Sequence, residues 1–261
     1  SYAEGESKRI FIMNEELKIY VHLFVYAGDA DLVRENLLCV RHALPEAGLV
    51  VVDDGRHPCP DGVRLQAEEL GAEWRVSTWE RGGNLRGKEC IEGMLDEMIR
   101  SACHEEDSLV KIDADTVIMS GDELRCFAGR KDLIFWGSGS VEQRIYGCLY
   151  GMKAHAAKRV REYVRGLELL PDAPEDIVIG TSAFNLYPGE ERHLVTPPYG
   201  PEAPDSGWTA YYWGRYPDVK GYQRFTMVTT GNPPPAPLGK RHRLPVMKEL
   251  RRIADLRRRL A

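Results

Sequence analysis

No apolar run in the 261-residue chain approaches the length of a membrane span, and the polar opening SYAEGESKRI has no signal-peptide core. The six cysteines (39, 59, 90, 103, 126 and 148) form no CxxC pair and no zinc-like spacing. They read as reduced, mostly packed thiols of a cytoplasmic protein. After the first strand, where YAGDADLV stands, there is no GxGxxG and no glycine-rich phosphate loop. That absence speaks against a dinucleotide-dependent oxidoreductase and against a sugar-phosphate nucleotidyltransferase. Internal repeats and low-complexity linkers are lacking too, so the chain reads as one domain with an appended tail.

What is present is an ordinary globular composition, 43% hydrophobic and 29% charged, with an uneven charge distribution. From Lys240 to Ala261 nine Lys/Arg stand against Glu249 and Asp255, a balance of +7. Since the whole chain carries −5, the remainder carries −12. In this tail Leu244, Met247, Leu250, Ile253/Ala254, Arg257 and Leu260 recur every three or four residues, which predicts an amphipathic helix with a basic face. It is expected to pack on the body. Anionic lipid, making the protein peripheral to a membrane, and nucleic-acid phosphate are the alternative partners.

The first half alternates strand and helix. Strands are expected at 18–26, 48–54, 73–79 and 108–118, and helices at 31–44, 62–71 and 85–102. Repeated β-α units imply a mostly parallel sheet covered by helices on both faces. Beyond residue 130 the pattern weakens: strands at 132–138 and 144–152, a helix at 153–170, a Pro/Gly-rich loop at 196–207, and a strand-like TMVTTG.

The stretch LVKIDADTVIM (109–119) reads as a buried strand interrupted by two aspartates. Buried carboxylates need a cation or hydrogen-bond donors. In a strand, residues i and i+2 face the same side, so Asp113 and Asp115 are expected to share one small volume beyond the strand end, where open α/β sheets bind ligands. Oxygen ligands there suit Mg²⁺ or Mn²⁺, a cation rather than a salt bridge answering the buried charge. The plainer reading is a turn, DADT, that satisfies itself locally.

With IYVHLFVYAGD opening into a helix, VVVDDG (50–55), ERGGNLRGKECIEGML (80–95), KIDADTVI, and more weakly PEDIVIG (174–180), the chain resembles GT-A-type glycosyltransferases over roughly residues 18–190. The resemblance implies an α/β fold: a single GT-A-like (Rossmann-like) domain with a mostly parallel central sheet flanked by helices over 1–239, plus a C-terminal basic amphipathic helix over 240–261. It implies a nucleotide-binding half at about 18–119 and an acceptor half at about 120–239. It also implies a UDP- or GDP-sugar donor and a Mn²⁺ or Mg²⁺ cofactor. Asp53 or Asp54 would contact the base or ribose, Lys88 or Arg86 the base or a phosphate, and Asp113 the ribose or the metal. Asp115 would be the principal metal ligand and Asp176 the base that takes the acceptor's proton. Such enzymes often add a late histidine to the metal. His193 and His242 are the candidates, and Thr229 and Thr230 stand where one would be sought, so the third ligand stays open, with water as the alternative.

The implied reaction moves a hexose to an acceptor hydroxyl, with inversion favoured by PED. A glycan or lipid-linked acceptor is favoured over a hydroxymethylated pyrimidine in DNA. Trp208, Tyr211 and Trp213, beside the Pro/Gly loop, suit an acceptor platform, because aromatic faces stack on sugars or bases. Several of these residues also have structural readings. Asp53-Asp54-Gly55 suits a turn, Lys88 a solvated helix position, and Glu175 and Asp176 the first turn of a helix. The rival to catalysis is a sugar- or nucleic-acid-binding module, which has no need of Asp113, Asp115 and Asp176 together.

Overall fold

In the computed structural model, residues 17–81, 84–139, 145–189, 192–196, 210–212, 225–230 and 242–260 are described. Four parallel strands begin the fold: β1 (Ile19–Val25), β2 (Gly48–Asp53), β3 (Ala72–Val76) and β4 (Ser108–Ile112). Between them run α1 (Ala30–Ala43), α2 (Asp61–Glu69) and α3 (Lys88–Ser101). After β4 the chain forms β5 (Thr116–Ile118), α4 (Asp122–Gly129), β6 (Phe135–Ser138), β7 (Leu149–Lys153), α5 (Ala154–Arg165) and α6 (Glu175–Leu186). It closes with β8 (His193–Thr196), β9 (Ala210–Tyr212), β10 (Met227–Thr229) and α7 (Arg243–Leu260).

The large sheet has the order β3-β2-β1-β4-β7-β6-β8, with β7 antiparallel to both its neighbours and the other pairs parallel. Its central strands are buried on both faces, as parallel sheets covered by helices require. Val21, Leu23 and Val25 of β1 face a core shared with α1 (Leu32, Val33, Leu37, Val40), α4 (Leu124, Phe127) and α7. Phe24 points to a second core with α3 (Ile91, Met94, Leu95, Met98), α5 (Val160, Val164) and α6 (Val178, Ile179).

Three points differ from the sequence reading. The stretch 108–118 is two strands, not one: β4 belongs to the large sheet, and β5 belongs to a small sheet of order β5-β10-β9. Residues 113–115 form the turn between them, because Asp113 pairs its N–H with Cys148 O (2.9 Å) and its carbonyl with Thr116 N (3.1 Å). The helix expected from residue 85 starts at Lys88. Leu85 (φ 58°) and Gly87 (φ 83°) take left-handed conformations, and a Cβ at Gly87 would lie 2.7 Å from Pro171 O. Most of segment 174–187, where only Glu175 and Asp176 had a helical reading, is the helix α6.

The basic tail is the helix α7, and its apolar stripe is spent on the body. Met247, Leu250, Ile253 and Ala254 are buried in the first core, and Arg251 pairs with the buried Glu35 of α1 at 2.5 Å. Among the described residues no helix is long and apolar enough to cross a membrane.

Candidate functional site

Where β1 and β4 end, a cleft of about 730 Å³ opens between the two sheets and the start of α6. This is the position at which open α/β sheets bind ligands. Asp113 and Asp115 both line it, together with Glu175, Asp176, Arg86 and Thr229. The two aspartates therefore share one volume, but the turn between the sheets brings them together rather than alternation along a strand.

The turn is held from two sides. The buried Asn36 of α1 donates its amide to Asp113 O (3.0 Å) and Thr116 O (2.8 Å). Thr230, just past β10, donates both its N–H and its hydroxyl to Asp115 O, each at 2.8 Å. With the carbonyls occupied by the scaffold, the carboxylates are left to the cleft.

Each carboxylate meets a protein cation. Lys111 Nζ lies 2.5 Å from Asp113 Oδ1 and 3.1 Å from Glu175 Oε1, and it also donates to Gly147 O. Its side chain is fully buried. Burial alone would lower the ammonium's pKa, but Asp113 and Glu175 outweigh it and hold the charge above the usual lysine range. Arg243, the first residue of α7, places NH1 2.9 Å from Asp115 Oδ2. Asp115 is nonetheless pushed up to about 6, by burial first and then by the charge of Asp113, with Arg243 pulling the other way. In the chain by itself the two charges are met by Lys111 and Arg243.

Glu175 is the more buried acid of the pair that opens α6 and is raised to about 7, chiefly by burial, with Lys111 opposing. Asp176 accepts from Gly147 N at 3.1 Å and from Ile177 N at 2.8 Å. Both acids sit in the helix's first turn, where the dipole favours negative charge. Gly147 is clamped between them and Lys111: a Cβ there would lie 2.9 Å from Glu175 Oε1 and 3.3 Å from Asp176 Oδ2.

Other sequence candidates lie elsewhere. Asp53 spends both oxygens on Cys59 N (3.0 and 3.1 Å), and Asp54 accepts from Arg56 N (3.0 Å) with His57 Nδ1 at 3.3 Å. Neither lines the cleft, so the turn reading describes their contacts. Lys88 Nζ donates to Arg165 O (2.6 Å) and Leu167 O (2.9 Å), closing the end of α5. Arg86 reaches the cleft wall while NH1 donates to Asp172 O at 3.3 Å. His193 stacks on Phe184 (4.0 Å) and bonds Tyr187 O (2.7 Å), away from the cleft, and His242 meets Thr230 O at 3.1 Å. Tyr211 lies in β9, paired with Val228, whereas Trp208 and Trp213 fall outside the described residues. The cleft adds Tyr26, Asp29 and Arg81, which the sequence did not single out. The Arg81 guanidinium lies 4.8 Å from the centre of the Tyr26 ring and 3.9 Å from Asp29.

A divalent metal fits this donor set as a two-carboxylate site. Asp113 and Asp115 line the same cleft, and the charge of Asp113 adds to burial in raising Asp115. Mg²⁺ commonly takes one or two carboxylates and completes its shell with water and phosphate oxygens. Among the described residues no third Asp, Glu, His or Cys joins them in a metal-binding group.

No protein-family model matches the sequence, and no curated protein matches it either. Solved structures match by shape. The galactosyltransferase LgtC in complex with donor and acceptor sugar analogs superposes with a TM-score of 0.53 at 10% identity, covering 90% of this chain and 95% of that one. An active-site mutant of LgtC gives 0.54 at 11% identity over the same shares. The bifunctional glycosyltransferase WbbM gives 0.52 at 10% identity, over 82% of this chain and 46% of that one. With a parallel core, an antiparallel β7, a second small sheet and a cleft at the split between sheets, the chain has the GT-A-type glycosyltransferase fold.

Proposed function

We propose that the protein is a metal-dependent glycosyltransferase that moves a hexose from a nucleotide-diphosphate sugar to an acceptor hydroxyl. The observation that carries this reading is the meeting of Asp113, Asp115 and Asp176 in one cleft at the carboxyl ends of β1 and β4. LgtC, which shares the fold, is a galactosyltransferase that holds donor and acceptor sugar analogs.

In this reading Asp113 and Asp115 hold Mn²⁺ or Mg²⁺. The bound ion would supply charge stabilisation for the departing diphosphate. Arg81 and Arg86 add positive charge along the same wall, suited to phosphate oxygens. Asp176, fixed by Gly147 N and the start of α6, accepts the proton of the attacking hydroxyl, which gives inversion. Tyr26 offers an aromatic face at the end of β1 for the base. A glycan or a lipid-linked sugar is the acceptor class. The apolar stripe of α7 is committed to the core, so contact with anionic lipid would fall to its basic face.

Thermal shift of the full chain with UDP or GDP, with and without Mn²⁺, tests this directly. A ligand at a hundredfold its Kd stabilises by about 2.7 kcal/mol. The expected result is metal-dependent stabilisation by one nucleotide, lost in Asp115→Ala. No nucleotide effect on the wild type overturns the transferase reading, and an undiminished effect in Asp115→Ala removes the metal site.

A further inference from the structure

The two cations that meet the aspartates are held in different ways. Lys111 lies inside the large sheet, fully buried, with Glu175 and Gly147 O as further acceptors, so it is a permanent partner of Asp113. Arg243 stands at the cleft wall on the first residue of α7 and is only partly satisfied. NH1 pairs with Asp115 at 2.9 Å, but the buried Nε has no acceptor. A buried donor without a partner is unfavourable, so the pair is weaker than its distance suggests.

The helix can release this residue without coming off the body. The first-turn N–H groups of a helix have no acceptor within it, and Pro245 has no N–H at all. The buried anchors are Met247, Leu250 and Arg251–Glu35, while Leu244 and Val246 pack only partly buried on the same core and His242 meets Thr230 O, so release calls for movement of the Arg243 side chain rather than of the helix. A guanidinium and a divalent ion at the same carboxylate also repel each other.

We propose that Arg243 is an exchangeable counter-ion of Asp115, competing with the divalent metal for that carboxylate, so that the metal binds only as Arg243 leaves. The inference rests on the metal reading above, and the test separates the two. Mn²⁺ alone is titrated into the full-length protein, and free Mn²⁺ is followed by electron paramagnetic resonance. Arg243→Gln is expected to bind Mn²⁺ about tenfold more tightly than wild type, a shift of about 1.4 kcal/mol. Arg243→Lys, which keeps the charge, stays within about threefold of wild type on the same scale. Asp115→Asn abolishes the tight binding. At one sub-saturating Mn²⁺ concentration the melting temperature of Arg243→Gln rises further than that of wild type. Arg243→Met, which keeps the apolar stem, replaces Arg243→Gln if circular dichroism shows the latter misfolded.

Equal or weaker Mn²⁺ binding in the neutral variant overturns the competition while leaving the metal site standing. Tightening in Arg243→Lys equal to that in Arg243→Gln overturns it as well, since charge would then not matter. Absence of Mn²⁺ binding in wild type and variant alike brings down the metal reading and this inference together.

Discussion

Lys111 and Glu175 meet at 3.1 Å across 64 residues of chain, joining the last parallel strand of the first half to the helix that opens beside the cleft. The ammonium is buried, and removing it leaves the buried Glu175 without its cation, whereas Asp113, 41% exposed, keeps access to water. Lys111→Met is expected to destabilise the fold by about 3–5 kcal/mol in urea unfolding. Because Lys111 holds Glu175 down, its loss raises that carboxyl further. The double variant with Glu175→Gln should be less destabilised than the sum of the singles, as contacting residues behave. Strict additivity would show that the two groups do not communicate.

Gly147 is a steric test of the same corner. A methyl group at this position presses on Glu175 Oε1 and Asp176 Oδ2. Gly147→Ala should lower release of nucleoside diphosphate by roughly tenfold or more, since small displacements of a positioned base are costly. The melting temperature should move by only a few degrees. Full activity with wild-type kinetics would argue against Asp176 as the proton acceptor.

His22 gives a pH signature unrelated to catalysis. Its ring is fully buried in β1, with Nδ1 3.2 Å from Val110 O and Nε2 2.8 Å from Ser101 Oγ. Burial lowers its pKa from 6.5 to about 3. The unfolded chain therefore takes up a proton below pH 6.5 that the folded chain refuses until about pH 3. Stability from this group is fully present above pH 6.5 and is lost as the pH falls toward 3. The wild type should lose up to about 1.4 kcal/mol per pH unit more than His22→Gln across that window. Parallel stability profiles for the two proteins would contradict a neutral buried imidazole.

In α7 the two faces should respond differently. Leu250 is fully buried, and Leu250→Ala is expected to cost about 2–5 kcal/mol. Arg252 is exposed and pairs with Glu249 one turn away, so Arg252→Ala should leave the stability essentially unchanged. Chemical denaturation of both variants checks the contrast. Similar small losses in both would mean that the helix is not part of the cooperative core.

The alternating first half was readable because its strands and helices carry local signals. In β1 it is the run of β-branched and aromatic residues, and in α1 the helical spacing of Val33, Leu37 and Val40. The acidic pair was legible as a pair, though its geometry was not. Whether residues 113–115 continue a strand depends on Cys148 and Asn36, far off in sequence. Lys111 was passed over because a lysine within a strand ordinarily points to water, and its acceptors are supplied by the approach to β7 and by α6. Arg243 hid among eight other basic residues of the last segment, and only the docking of α7 singles it out. Asp53 and Asp54 had the right neighbourhood for a nucleotide, but local N–H groups of the following loop reach them first. Local chemistry was visible from the residues themselves, whereas long-range partners were not.

The small sheet joins β5 from the middle of the chain to β10 and β9 from its last quarter, and Thr230 and Arg243 complete the surroundings of Asp115. During synthesis, then, the parallel strands can assemble while the nascent chain still lacks the groups that fix its acidic turn. Ribosome-bound intermediates stopped before residue 225 would carry the scaffold with its acidic turn still unbraced, and the brace would arrive only once Thr230 has left the exit tunnel.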